Sequence, residues 1–238
     1  MSEGTNASAG GGCCGGKNSS GENSAGGCGC KTGSQAVMIP TGTAKEIAAL
    51  PLGEILARYR RGVANYDPRV FSLDAEQLDR AFLPDANVGR WSVRMLLGHM
   101  ADAEIAFVHR MRRAIAEDRP VLAVWDENAF IDSGLYNIPR EVQQGDPASL
   151  IGGFVAVLHT MRMWSFQWLS GLTPEQFKRV AMHPERGEQH VIDILAYSIW
   201  HVEHHSRFLQ LKCDRMLGPV EEALAMGAGA SGGCCGGR

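Results

Sequence analysis

From His190 to Leu217 the chain runs without a proline or a glycine, and Gly218-Pro219 then stops it. Both residue types break helices, so a stretch of this length that excludes them and repeats its apolar residues at helical spacing is committed to one long helix. A helix with an apolar stripe cannot bury that stripe alone and needs neighbours of comparable length. Upstream the chain supplies them, because its apolar runs are separated by Pro/Gly punctuation and nowhere sustain the alternation of a strand. The expected fold class is all-α.

The punctuation places the helices. A first is expected from about Thr43 to Tyr66, with Pro51 as its start, kink or break and Asp67-Pro68 as its end. A short one follows over Leu73 to Ala81 with Ser72 as cap. The second long helix begins at Ser92, a candidate N-cap, and stops before Pro120. A third is expected with Asp146 as N-cap and Pro147 in its first position, running to about Gly171. Its sequence, "LIGGFVAVLHTMRMWSFQWLSGL", is apolar nearly all round, which predicts deep packing and makes His159 a hydrogen-bonded core histidine or a neighbour of a site. "LTPEQF" opens a further short turn of helix, and the run to Leu217 is the fourth long helix. The stretch from Arg119 to Gly145 is too long for an ordinary helix connection and is expected to cross over the bundle.

Composition bounds the rest. With 45% hydrophobic residues in 238, the chain can bury a real core, read here as one domain over 41–219. The flanking segments, 1–40 and 220–238, are rich in Gly, Ser and Cys and are expected to be disordered. Six of the seven cysteines lie in these tails and only Cys213 in the domain, so no disulfide framework is expected. The tail pairs "CC" and "CGC" suit a soft ion but lack the spacing of a zinc module. A net charge of −3 implies no nucleic acid and no anionic membrane as partner. Neither a secretory leader nor a spanning segment is legible, and a cytoplasmic location is expected.

The histidines carry the chemistry. On the last helix, at 100° per residue, His205 falls about +40° from His201 on the apolar face, whereas His204 falls at about −60° on its boundary. His201 and His205 therefore form an inward i,i+4 pair, the spacing two ligands of one ion require. On the second long helix His99 lies on the apolar face with Leu96, Ala103 and Phe107, while Asp102 and His109 lie at its polar edge and Arg94 and Arg112 point away. Three imidazoles, His99, His201 and His205, leave a metal position open, the arrangement of catalytic rather than structural sites. The plainer reading, three core or surface histidines that never meet, stays open at this level. Trp125, Asp126, Glu127 and Tyr136 of the crossover are candidates for the mouth of such a site, against a structured crossover with surface acids. Glu104, on a different side of its helix, is expected to support packing or a surface ion pair.

"RWSVRMLLGHMADAE" followed by "GEQHVIDILAYSIWHVEHHSRFLQL" resembles the DinB superfamily, including its YfiT-like metal-dependent members, over about Leu52 to Leu217. The resemblance implies an antiparallel four-helix bundle with a long crossover, and a divalent transition metal (zinc, nickel or iron) held by His99, His201 and His205. It further implies a homodimer, and a small-molecule substrate handled with a low-molecular-weight thiol or with water, as a thiol S-transferase or a hydrolase. A non-catalytic metal-binding or small-ligand-binding stress protein, with cysteine tails that take soft metals, is the alternative.

Overall fold

The computed structural model of the protein describes residues 42–83, 86–137 and 147–219. The expected tails, and Asp146 as a cap, lie outside these. The first expected helix is broken in two, as Pro51 demands: α1 spans Ala44–Ala48, where Thr43 and Glu46 form a reciprocal capping box, and α2 spans Leu52–Arg61 with Pro51 at its N-cap. Gly62 ends α2 at φ 48°, a left-handed conformation that a side chain would strain, and it lies against the stem of Arg162. Two turns of 3₁₀-helix follow, Gly62–Asn65 and Pro68–Ser72, and then α3, Ala75–Asp79. The cap of α3 is Asp74 rather than Ser72, because only Asp74 pairs reciprocally with Gln77.

Ser92 caps α4, Val93–Ala116, by accepting from the Met95 N–H, a bond worth about 1 kcal/mol. Among its described residues the crossover contains one short helix, α5, Glu127–Asp132. Then come α6, Ser149–Leu169, and α7, Pro174–Phe177, whose capping box joins Thr173 to Gln176. A hairpin not expected from the sequence follows: β1, Val180–His183, pairs antiparallel with β2, Gly187–His190, in register Val180 to His190. Four-residue strands are too short for alternation to register against helical background. The last helix, α8, runs over Val191–Leu217 with His190 as its cap.

Helices α2, α4, α6 and α8 make the four-helix bundle. Helix α4 packs on α6 and α8, and α2 packs on the same two from the opposite side. Phe107 meets His201 and Tyr197 while His99 meets His205, so α4 and α8 run antiparallel. Along α6, Glu104 meets Arg162 and Arg112 lies over Trp164 and Trp168, so α4 and α6 run in the same direction. A parallel pair cannot be joined by a tight turn, which is why the crossover is long. Its first residues are pinned to the hairpin: Leu122 N–H donates to Met182 O at 2.8 Å, and Met182 N–H to Pro120 O at 2.9 Å.

The core has two apolar halves. One holds Ile55, Tyr59, Phe107, Met111, Leu195 and Ile199, and the other Val70, Leu97, Met100, Leu158, Val202 and Leu209. At their junction on α4 and α8 sits a polar layer of His99, Glu104, Ser198 and His201. Helix α6 is not deeply packed all round: Val157, His159 and Trp164 are exposed, since the bundle offers its partners on one side only. Arg112 covers part of that outer face by lying 4.7 Å over the Trp164 ring. Arg94 does not simply point away but is buried against α3, paired with Asp79. Among the described residues no helix is long and apolar enough to cross a membrane.

Candidate metal centre

His99 comes from the second turn of α4, and His201 and His205 from successive turns of α8. Their exposures are 1%, 3% and 2%. One ring nitrogen from each lies within 4.8 Å of the others, and the Nε2 atoms of His99 and His201 approach to 2.9 Å. The rings are packed edge to face, His201 against His205 at 4.4 Å between centres and His99 against His205 at 5.0 Å.

Nδ1 of His99, Nδ1 of His201 and both nitrogens of His205 are buried with no hydrogen-bond partner. Buried polar atoms are almost always paired, so this cluster is short of hydrogen-bond partners, and each neutral imidazole offers an ion one lone-pair nitrogen, three in all. Metal–imidazole bonds of about 2.0–2.1 Å hold ligand nitrogens within roughly 4 Å of each other, which is the scale of this cluster. Burial suppresses the charged form: the His99 imidazole is pushed down to about 4, and His201 and His205 lie well below the ordinary histidine value, mainly through burial and secondly through their neighbouring histidines. All three are therefore neutral at pH 7, the form that binds metal.

Aromatic rings wall the cluster. Trp91 lies 4.9 Å from the His99 ring and 6.3 Å from His205, Trp125 stacks on His99 at 5.6 Å, and Phe107 meets His201 at 5.6 Å. Trp125 reaches this position because the hairpin pins the preceding residues.

The other expected residues separate. Tyr136 is buried, its hydroxyl donating to Asp102 at 2.7 Å and its ring against Gly98, where a Cβ would collide with it. Asp126 caps α5 through the N–H groups of Asn128 and Ala129. Glu127 is half-buried on α5, with its carboxyl raised by burial and then by Asp126, while Arg186 opposes the rise. His204 stacks on Trp200 at 4.8 Å, beside the cluster but outside it. His159 is exposed on α6 and belongs neither to the core nor to the site.

Glu104 supports packing, and its ion pair is buried rather than at the surface. It accepts from Tyr59 Oη at 2.7 Å, Arg162 Nε at 3.0 Å and Ser198 Oγ at 3.0 Å, and Arg162 also donates to the Ser198 carbonyl at 2.8 Å. This network joins α2, α4, α6 and α8 one turn from His201. Its only sequence signal was an arginine alone on an apolar helix. Glu203, on the polar side of α8 by angular count, is buried by a two-pronged pair with Arg58 of α2.

Fold and site together define a class: a four-helix bundle with three convergent buried histidines at the junction of its core halves. Residues 58–209 match the model of the DinB superfamily, and the chain belongs to that family. A protein of Oceanobacillus iheyensis is 29% identical over 146 residues, 61% of this chain and 76% of the relative. One of Bacillus licheniformis is 27% identical over 145 residues, 60% and 74% of the two chains. Both names carry the words metal-dependent hydrolase. The structure of YfiT from Bacillus subtilis, described with the same words and as an unusual four-helix bundle topology, superposes with a TM-score of 0.57 at 23% identity, covering 69% of this chain and 87% of that one.

Proposed function

We propose that the protein is a metal-dependent enzyme in which His99, His201 and His205 hold a divalent transition metal (zinc, nickel or iron) and a small-molecule electrophile is attacked by water or a thiol. The observation that carries this reading is the convergence of three buried imidazoles, one nitrogen of each within 4.8 Å of the others, in a cluster short of hydrogen-bond partners. An ion bound there supplies Lewis acidity, which acidifies a water or thiol and polarises the group it attacks. The chain contributes the rest. Burial keeps the three imidazoles neutral, Trp91, Trp125 and Phe107 exclude bulk water, and the Glu104–Arg162 network fixes the turn of α8 that precedes His201. Water is the favoured nucleophile, because relatives of this length and similarity carry hydrolase names.

Elemental analysis of the protein as purified, beside a His201→Ala, His205→Ala variant, tests the site. About one equivalent of a divalent metal is expected in the parent and less than a tenth of that in the variant, since three ligands hold the ion and one does not. Equal contents in the two proteins would sink the assignment. Ester and amide hydrolysis, and conjugation of low-molecular-weight thiols to electrophiles, then separate the two nucleophiles.

A further inference from the structure

Basic side chains gather near the rings that touch the histidine cluster. Arg110 follows Phe107 by one turn of α4 and is only 8% exposed, with its Nη2 donating to the Ala123 carbonyl at 2.9 Å. Ala123 lies two residues before Trp125, the ring stacked on His99. The pairing of this segment with Met182 brings up His183, 5% exposed, whose Nδ1 accepts from the Glu185 and Arg186 N–H groups at 3.2 and 3.3 Å. With Nδ1 accepting, the proton of a neutral His183 resides on Nε2, so that atom is a donor. Arg186 holds its guanidinium carbon 4.9 Å over the Tyr197 ring, which lies 6.5 Å from His201 and 5.6 Å from Phe107.

Among the described residues, neither Arg110 nor Arg186 is in an ion pair, although Arg94 and Arg162, buried as Arg110 is, each have a carboxylate; Arg186 is exposed and its charge acts on Glu127, and that of Glu185 acts on His183. A charge taken out of water is strongly unfavourable without compensation. Burial first, and then the Arg186 charge, hold the Arg110 guanidinium below its ordinary value, while Tyr197 opposes the fall.

We propose that Arg110, His183 and Arg186 form an anion-binding subsite that takes a carboxylate or phosphate group of the small-molecule substrate, placing its reacting end toward His99, His201 and His205. Planar guanidiniums match such oxyanions with paired hydrogen bonds, and the aromatic rings between the two sites suit an apolar linking segment. That the anion belongs to a substrate rests on the metalloenzyme reading; that an anion binds does not.

The test uses full-length protein in low-chloride buffer and titrates succinate, inorganic phosphate and neutral succinamide calorimetrically. It is run on the parent and on the His201→Ala, His205→Ala variant. Saturable binding of succinate or phosphate to both proteins is expected, with no binding of succinamide. Arg186→Gln and Arg110→Met are each expected to weaken it at least tenfold. Arg186 is exposed, so its variant decides the matter even if Arg110→Met fails to fold. Binding that vanishes in the histidine variant and ignores Arg186→Gln would assign the anion to a histidine-bound ion and overturn the subsite. No binding to either protein overturns it as well. Anion binding to a parent that contains no metal would leave the subsite standing and remove the metalloenzyme reading.

Discussion

At the scale of single residues, the site depends as much on what is missing as on what is present. Gly98 precedes His99 and lets the Tyr136 ring lie directly on the α4 backbone. Gly98→Ala forces that ring away, and the loss should be about 1–3 kcal/mol, typical of overpacking. Urea denaturation of the variant measures it, and a midpoint equal to the parent's would mean that Tyr136 does not cover this turn. Tyr136 thus acts on the fold rather than on a substrate, with Asp102 as its hydrogen-bond acceptor. Cys213 shows the converse of a reactive residue: it is fully buried and its thiol is pushed up to about 12, chiefly by burial, so it packs and does not react.

At the scale of elements, α8 is held in rotation and height by ionic contacts that cross the bundle. Arg58 to Glu203 secures it to α2, and Arg162 secures it to α6 through the Ser198 carbonyl while neutralising Glu104 of α4. Removing one partner leaves the other charge buried alone, so Arg162→Met should cost about 3–5 kcal/mol. The double replacement with Glu104→Gln should recover much of that loss, because it removes the stranded charge. Chemical denaturation of both variants is the measurement. A double variant as unstable as Arg162→Met alone would show that the arginine acts through its bond to Ser198 and not through the charge pair.

At the scale of the whole molecule, the buried histidines link stability to pH. In the metal-free protein the His99 value of about 4 lies below the ordinary 6.5, so between those values the unfolded chain binds more protons than the folded one. Stability is therefore intact above pH 6.5 and declines as the pH falls toward 4, with His99 alone accounting for about 3 kcal/mol over that window. His201 and His205, shifted in the same direction, add to the decline. Thermal unfolding of chelator-treated protein across this range should show it. The slope should flatten in a His99→Ala, His201→Ala, His205→Ala variant, and an unchanged slope would place the linkage elsewhere.

Much of the bundle was legible in the residues themselves, because helix boundaries are local events: Pro51, Ser92, Thr173 and Gly218 all act where the sequence puts them. The inward direction of His99, His201 and His205 was legible for the same reason, since 3.6-residue periodicity fixes which residues share a face. His159 was misread because periodicity reports that a helix is apolar and not which of its sides finds a partner. The β1–β2 hairpin was hidden by its brevity, and the burial of Glu104, Glu203 and Arg110 by the fact that a charge enters a core only on terms set by other elements. The sequence by itself determined the helices and the faces they present, because backbone propensity and side-chain period act within a few residues. Only the tertiary structure decided that three histidines from two helices meet, that a network from four helices holds them, and that Arg110 is buried near them without an ion pair, because those are distances between segments far apart in the chain.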